Sequence, residues 1–428
     1  MFIASLACQI TTPALAAVEA DLDLAPVSAS AANSQEEIVL GQISLLVIAV
    51  EFQDYERTYS IADITNRTIN QLNAYYSKVS YEAASIVGKV TDWIKLPLKL
   101  SAYGADNGPF IDSSSGGSIM PDTWKLLRDA SPMVTEDIAA YDTVFVLHAG
   151  PGQESSGVAN DIWSVTYLDY SVETTHGTYS TFAIVPEFEA RGFGTLGVYA
   201  HEFGHLLGLP DLYDRTKEQV GPWDLMARGA WLGNPLGTSP AELTAWSRLK
   251  LDWLKREYVC EIDWNVQEQQ TFDIRPLELP PSSGAFSAVI VRVNDDEYYL
   301  IEVRAHIDFD SSLPQEGVLI TFIQKDQFRA VIDAQPATAT LNDAAWQSGT
   351  MFHQTIEKNS QTDQSESKNQ RNHKLEVYIA VAAHTGDTYT ITVSFQGPPL
   401  IITIPLPYGG SQKPALQIAM IALQLRRN

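Results

Sequence analysis

Residues 199–214 read YAHEFGHLLGLPDLYD. On a helix, positions i and i+4 share a face, so His201 and His205 present two imidazole nitrogens to one point, with Glu202 beside them. That pairing suits a zinc ion, whose catalytic sites take three protein ligands and leave one position open. A third donor must therefore arrive from beyond the helix. Gly208 stands three residues past His205, where a helix can end with positive φ; Leu209-Pro210 keeps the chain extended, and Asp211 is brought round as the third ligand. Asp214 and Glu218 are close enough in sequence to be alternatives to Asp211.

The flanking segments place this helix in an α/β domain. ISLLVIAVEF (43–52) is a β-branched apolar run suited to a buried strand, and residues 61–78 carry apolar residues at helical spacing. Residues 82–98 read as a pair of strands, 121–129 as a helix, and DTVFVLHAG (142–150) as another buried strand closed by Gly-Pro-Gly. Two more strands, 162–168 and 181–189, precede the helix at 195–207 that carries the motif. After residue 258 the pattern is strands alone, at 285–293, 297–305, 316–323, 374–383 and 387–395, which predicts a β-sandwich. The expected organisation is a signal peptide at 1–17, a linker or vestigial pro-segment at 18–40, a catalytic domain at 41–258, a sandwich at 259–397 with a polar insertion at 358–374, and a C-terminal tail at 398–428.

Composition narrows the function classes. With 52 acidic against 28 basic residues the net charge is -24, which opposes nucleic-acid phosphate and anionic lipid. No run reaches the ~20 apolar residues of a membrane span; the nearest, Ala415–Leu425, is too short. The only cysteines, Cys8 and Cys260, offer no disulfide framework. Ala14-Leu15-Ala16 has the A-x-A form of a signal-peptidase site, although no Lys or Arg precedes Arg57, so a truncated signal and a secreted or cell-surface protein are expected. Asn294-Asp295-Asp296 and Asn342-Asp343 are candidate calcium (Ca2+) stretches that turn chemistry also explains. His148, His176, His306, His353, His373 and His384 lack paired spacing and are read as structural or surface residues.

HExxHxxGxx followed by a ligand and a later Met is the metzincin arrangement of zinc peptidases, and GPWDLMARG (221–229) supplies Met226 in turn-like surroundings. With HEFGHLLGLPDLYD, WDLM and the YYLIEVR…GVLI stretch (298–320), the chain resembles the immune inhibitor A group of secreted metallopeptidases over roughly residues 41–395, with Asp in place of the usual metzincin His as third ligand. The resemblance implies a metzincin-like zincin fold, an α/β (α+β) catalytic domain ahead of the all-β part, one catalytic Zn2+ on His201, His205 and Asp211, and protein or peptide substrates. It also implies a Met-turn at Met226 and a substrate lying antiparallel on the edge strand, here 162–168. Zinc would acidify a water and polarise the peptide carbonyl, and Glu202 would take the proton and deliver it to the leaving amine. Tyr213 and Arg228 are candidates for oxyanion support. Two rivals stand beside this reading: an inert binding protein on a peptidase scaffold, and a zinc hydrolase of a non-peptide bond.

Overall fold

A computed structural model describes residues 40–104, 123–213, 218–357 and 374–399. The expected signal peptide, His373 and Asp214 lie outside these residues, as do the expected linker up to residue 39, the polar insertion from 358 to 373 and the C-terminal tail from residue 400.

The first sheet is built from β1 (Gly41–Glu51), β2 (Ala84–Val90), β3 (Ile94–Lys95), β4 (Thr143–Pro151), β5 (Val165–Tyr167) and, after a small hairpin of β6 (Val172–Thr174) and β7 (Gly177–Tyr179), β8 (Phe182–Phe188). Its order is β2-β1-β4-β8-β5, with β3 on the end of β1. All pairings are parallel except the last, in which β5 runs antiparallel to β8 and forms the sheet's edge. The uninterrupted apolar runs of β1 and β4 follow from burial on both faces. Leu45, Val47, Phe145 and Val185 face one core; Leu46, Ile48, Val146 and Ile184 face the other.

The helices are short: α1 (Ile61–Thr65), α2 (Leu72–Val79), α3 (Ser101–Gly104), α4 (Lys125–Ala130), α5 (Gln153–Ser156), α6 (Leu196–Leu206) and α7 (Ala245–Lys250). Ser60 starts α1 through a reciprocal capping box with Asp63, and a π segment at Asn66–Gln71 joins α1 to α2. Leu126 and Leu127 of α4 cover one face of the first sheet, while α2 and α6 cover the other. Tyr76 of α2 donates to the Ala200 carbonyl of α6 at 2.6 Å, and Tyr199 donates back to Pro186 on β8 at 2.6 Å. These bonds tie α6 to α2 on one side and to β8 on the other.

Beyond Lys250 the described residues contain strands and 3-10 turns but no α-helix. One sheet has the order β14-β13-β12-β11-β9, from β9 (Val259–Ile262), β11 (Ala288–Arg292), β12 (Glu297–Arg304), β13 (Gly317–Gln324) and β14 (Gln327–Val331). The other has the order β10-β17-β16-β15, from β10 (Gln270–Ile274), β15 (Met351–Glu357), β16 (Lys374–Thr385) and β17 (Thr388–Ser394). Val289, Ile301 and Ile320 of the first pack with Val377, Ile379 and Ile391 of the second. The alternate residues Ile290, Leu300 and Leu319 point the opposite way and join the same core as α6 and Met226. The strand-only region is therefore continuous in its packing with the first sheet rather than hung from it.

A buried charge cluster lies at this junction. Arg304 on β12 reaches Glu278, Asp310 and Glu302, and donates to the carbonyls of Trp223 and Glu242. Arg248 on α7 pairs with Glu242 at 2.6 Å. Acids outnumber bases here, which favours the neutral form of some of the carboxyls. Burial, against the pull of the arginines, lifts Glu242 and Glu302 to about 7; burial and then Asp310 hold Glu278 well above the ordinary carboxyl range.

Candidate metal centre and catalytic site

On α6, His201 and His205 bring their rings to a 4.8 Å centroid separation. The helix ends at Leu206, Gly208 takes φ 89°, and the chain returns so that Asp211 Oδ1 stands 3.2 Å from His201 Nε2 and 3.3 Å from His205 Nε2. Among the described residues this trio is the one group of His, Cys, Asp or Glu side chains whose donor atoms converge, all within 4.8 Å of one another. Of the two alternatives to Asp211, Glu218 is paired with Arg228 at 2.7 Å.

The trio fits a divalent cation. Each imidazole Nδ1 faces a backbone carbonyl, Leu225 O at 3.1 Å for His201 and Leu209 O at 2.8 Å for His205. A carbonyl only accepts, so Nδ1 carries the proton and Nε2 is aimed at the common point, the outer-shell arrangement usual for ligating histidines. Burial of the His201 ring works against protonation, but Asp211 and Glu202 outweigh it and raise the imidazole to about 9. Burial likewise opposes the Asp211 carboxylate, yet the two imidazoles hold it well below the usual range. Two imidazoles sharing one carboxylate oxygen have the charge pattern that a bound cation satisfies.

Glu202 is 6% exposed and leans toward the edge strand, where the Thr166 hydroxyl lies 2.7 Å from its Oε2. Beneath the motif, Met226 is fully buried, and its Sδ would lie 2.6 Å from a Cβ built at Gly204. The turn around Met226 is held by Asp224, whose Oδ1 accepts from Met226 N and whose Oδ2 accepts from Thr244 N and Ser247 Oγ. Tyr213 is 46% exposed, its ring 6.4 Å from that of His201. Arg228 is engaged by Glu218 and by Asn342 Oδ1 at 2.8 Å. The two candidate calcium stretches form side-chain-capped turns: Asn294 Oδ1 accepts from Asp296 N, and Asp343 Oδ1 accepts from Thr338. His148 is buried, and desolvation lowers it to about 4.

Residues 130–261 match the family model described as immune inhibitor A peptidase M6, catalytic domain. That span includes His201, Glu202, His205, Asp211 and Met226. The chain is also similar to Immune inhibitor A of Bacillus thuringiensis subsp. alesti, 28% identical over 214 residues, with 41% of this chain and 31% of that protein covered. It is similar to the pre-pro-metalloprotease PrtV of Vibrio cholerae serotype O1 (strain M66-2), 27% identical over 220 residues, with 41% of this chain and 23% of that protein covered. The chain thus matches less than a third of the length of these relatives.

Three residues packed around this trio lie outside what the HExxH pattern specifies. Thr166 lies 36 positions before Glu202, and Asp224 precedes the Met by two positions in a stretch of unremarkable composition. Gly204 is the third. It is a free position in HExxH, and its closeness to Met226 Sδ means that a Cβ there would require the Met226 side chain to shift. No helix among the described residues is long and apolar enough to cross a membrane.

Proposed function

We propose that this chain is a secreted zinc-dependent endopeptidase: a metzincin-like catalytic domain at residues 41–258 followed by a β-sandwich at 259–397. The observation that carries the reading is the convergence of His201 Nε2, His205 Nε2 and one Asp211 oxygen. His201, His205 and Asp211 would hold the ion, whose Lewis acidity polarises a peptide carbonyl and acidifies a water when bound. Glu202 takes a proton from the attacking water and returns it to the leaving amine, a role its buried carboxylate suits because it sits beside the ligand pair without belonging to it.

The substrate lies as an added antiparallel strand along the outer edge of β5, which ends the sheet order. Backbone pairing of this kind is tolerant of sequence, and supports proteins or peptides as the substrate class. An intact, hydrogen-bonded Glu202 supports an active enzyme over an inert scaffold. The A-x-A segment at residues 14–16 supports export. The test is zinc analysis of purified protein together with proteolysis of casein by wild type and Glu202→Ala. Zinc retained with activity lost in the variant is expected; a variant that cuts at the wild-type rate removes Glu202 from the mechanism.

A further inference from the structure

Resting on the peptidase reading above, we propose that Thr166 is a positioning residue: its hydroxyl couples the strand that receives substrate to the carboxylate of the general base. Thr166 is the central residue of β5, whose side chains alternate between faces. Tyr167 faces the inner core, where its hydroxyl meets Thr123 at 2.5 Å, and Val165 packs on the same core. Position 166 is thereby directed to the other face, toward α6. There the Thr166 Oγ1 lies 2.7 Å from Glu202 Oε2 and 3.0 Å from the Glu202 carbonyl.

A threonine hydroxyl has one proton to give, and a carboxylate is the stronger of these two acceptors. The bond therefore fixes one oxygen of Glu202. Thr166 is well suited to this, because a β-branched side chain on a strand has few χ1 choices. The strand itself is anchored just before this point. Glu154 accepts from both the backbone N–H of Ser164, at 3.2 Å, and its hydroxyl, at 2.5 Å. Any shift of β5 is transmitted to Glu202 through a single hydrogen bond. A substrate strand that docks correctly on β5 then meets a base already oriented toward the attacking water, which is a contribution to the chemical step and not to binding.

The experiment compares wild type, Thr166→Val, Thr166→Ser and Glu202→Gln on one fluorogenic peptide, with zinc content measured for each and crystal structures of the two Thr166 variants. Valine keeps the shape and removes the donor; serine restores the donor. Expected is a ~10- to 100-fold fall in kcat for Thr166→Val with KM within about two-fold and zinc unchanged, recovery in Thr166→Ser, and a Glu202 carboxylate displaced only in the valine variant. Unchanged kcat in Thr166→Val, an equal loss in both variants, or a loss carried by KM would overturn the proposal while leaving the peptidase reading intact. A wild-type protein without peptidase activity, or a fully active Glu202→Gln, would instead sink that reading and the proposal with it.

Discussion

Replacing Gly204 by alanine sets two opposed effects against each other at one atom. Gly204 is inside α6, where Gly→Ala is worth about 1 kcal/mol in favour of the variant from helix propensity alone. The new Cβ, however, would stand 2.6 Å from Met226 Sδ, ~0.8 Å inside ordinary contact, and 3.3 Å from its Cε. The end of the Met226 side chain is flexible, but Met226 is fully buried, so it can move aside only by displacing packed neighbours. Overpacking of this kind costs about 1–3 kcal/mol, which exceeds the propensity gain. The net expectation is a loss of up to about 2 kcal/mol, seen as a Tm lower by up to about 8 °C in thermal unfolding of the metal-free protein. Because His201 and His205 ride on the displaced helix while Leu225 O belongs to the turn, zinc affinity falls as well. Pairing the change with Met226→Ala restores part of the loss, giving a coupling term in a double-mutant cycle. A Gly204→Ala protein with a raised Tm and undiminished zinc affinity would refute the claim that the Met turn is packed against the motif helix.

Other substitutions test the supports of the site. Asp224→Ala removes the acceptor for Met226 N, Thr244 N and Ser247 Oγ in a fully buried position, so a stability loss of several kcal/mol by chemical denaturation is expected, at about 1–3 kcal/mol for each donor left unpaired. Burial and then Asp310 favour the neutral form of Glu278, so Glu278→Gln should change stability by less than about 0.5 kcal/mol, whereas Arg304→Met leaves buried acids uncompensated and should cost about 3–5 kcal/mol. Just past the end of β8, burial and then Glu154 push Glu189 up to about 9. An acid with a raised folded pKa makes its full contribution to stability below its unfolded pKa and loses it as pH rises toward the folded value. The Tm of wild type should therefore decline between about pH 4.5 and 9 more steeply than that of Glu189→Gln, and parallel profiles would contradict the buried acid pair.

The converging trio was legible because His201, His205 and Asp211 fall within eleven consecutive residues, where helix periodicity and one glycine determine the geometry. The strands of the first sheet were legible for a similar reason, since burial on both faces writes continuous apolar runs into β1, β4 and β8. Strands β9, β10, β14 and β15 and the β6–β7 hairpin left weaker traces, being short or largely polar on their exposed faces. What depends on chain segments meeting over long distances was not legible at all. The Thr166–Glu202 bond, the Gly204–Met226 contact and the Arg304 cluster each join residues whose types are ordinary and whose partners are set by topology. Arg228 illustrates the converse: placed near the motif in sequence as a candidate for oxyanion support, it is held by Glu218 and Asn342.

The most direct measurement is anomalous diffraction at the zinc edge from crystals of the zinc-loaded protein. A single strong peak about 2.0–2.2 Å from His201 Nε2, His205 Nε2 and an oxygen of Asp211, with Glu202 outside the coordination shell, is the expected result. A peak bound elsewhere, or one that Asp211 does not touch, would contradict the account.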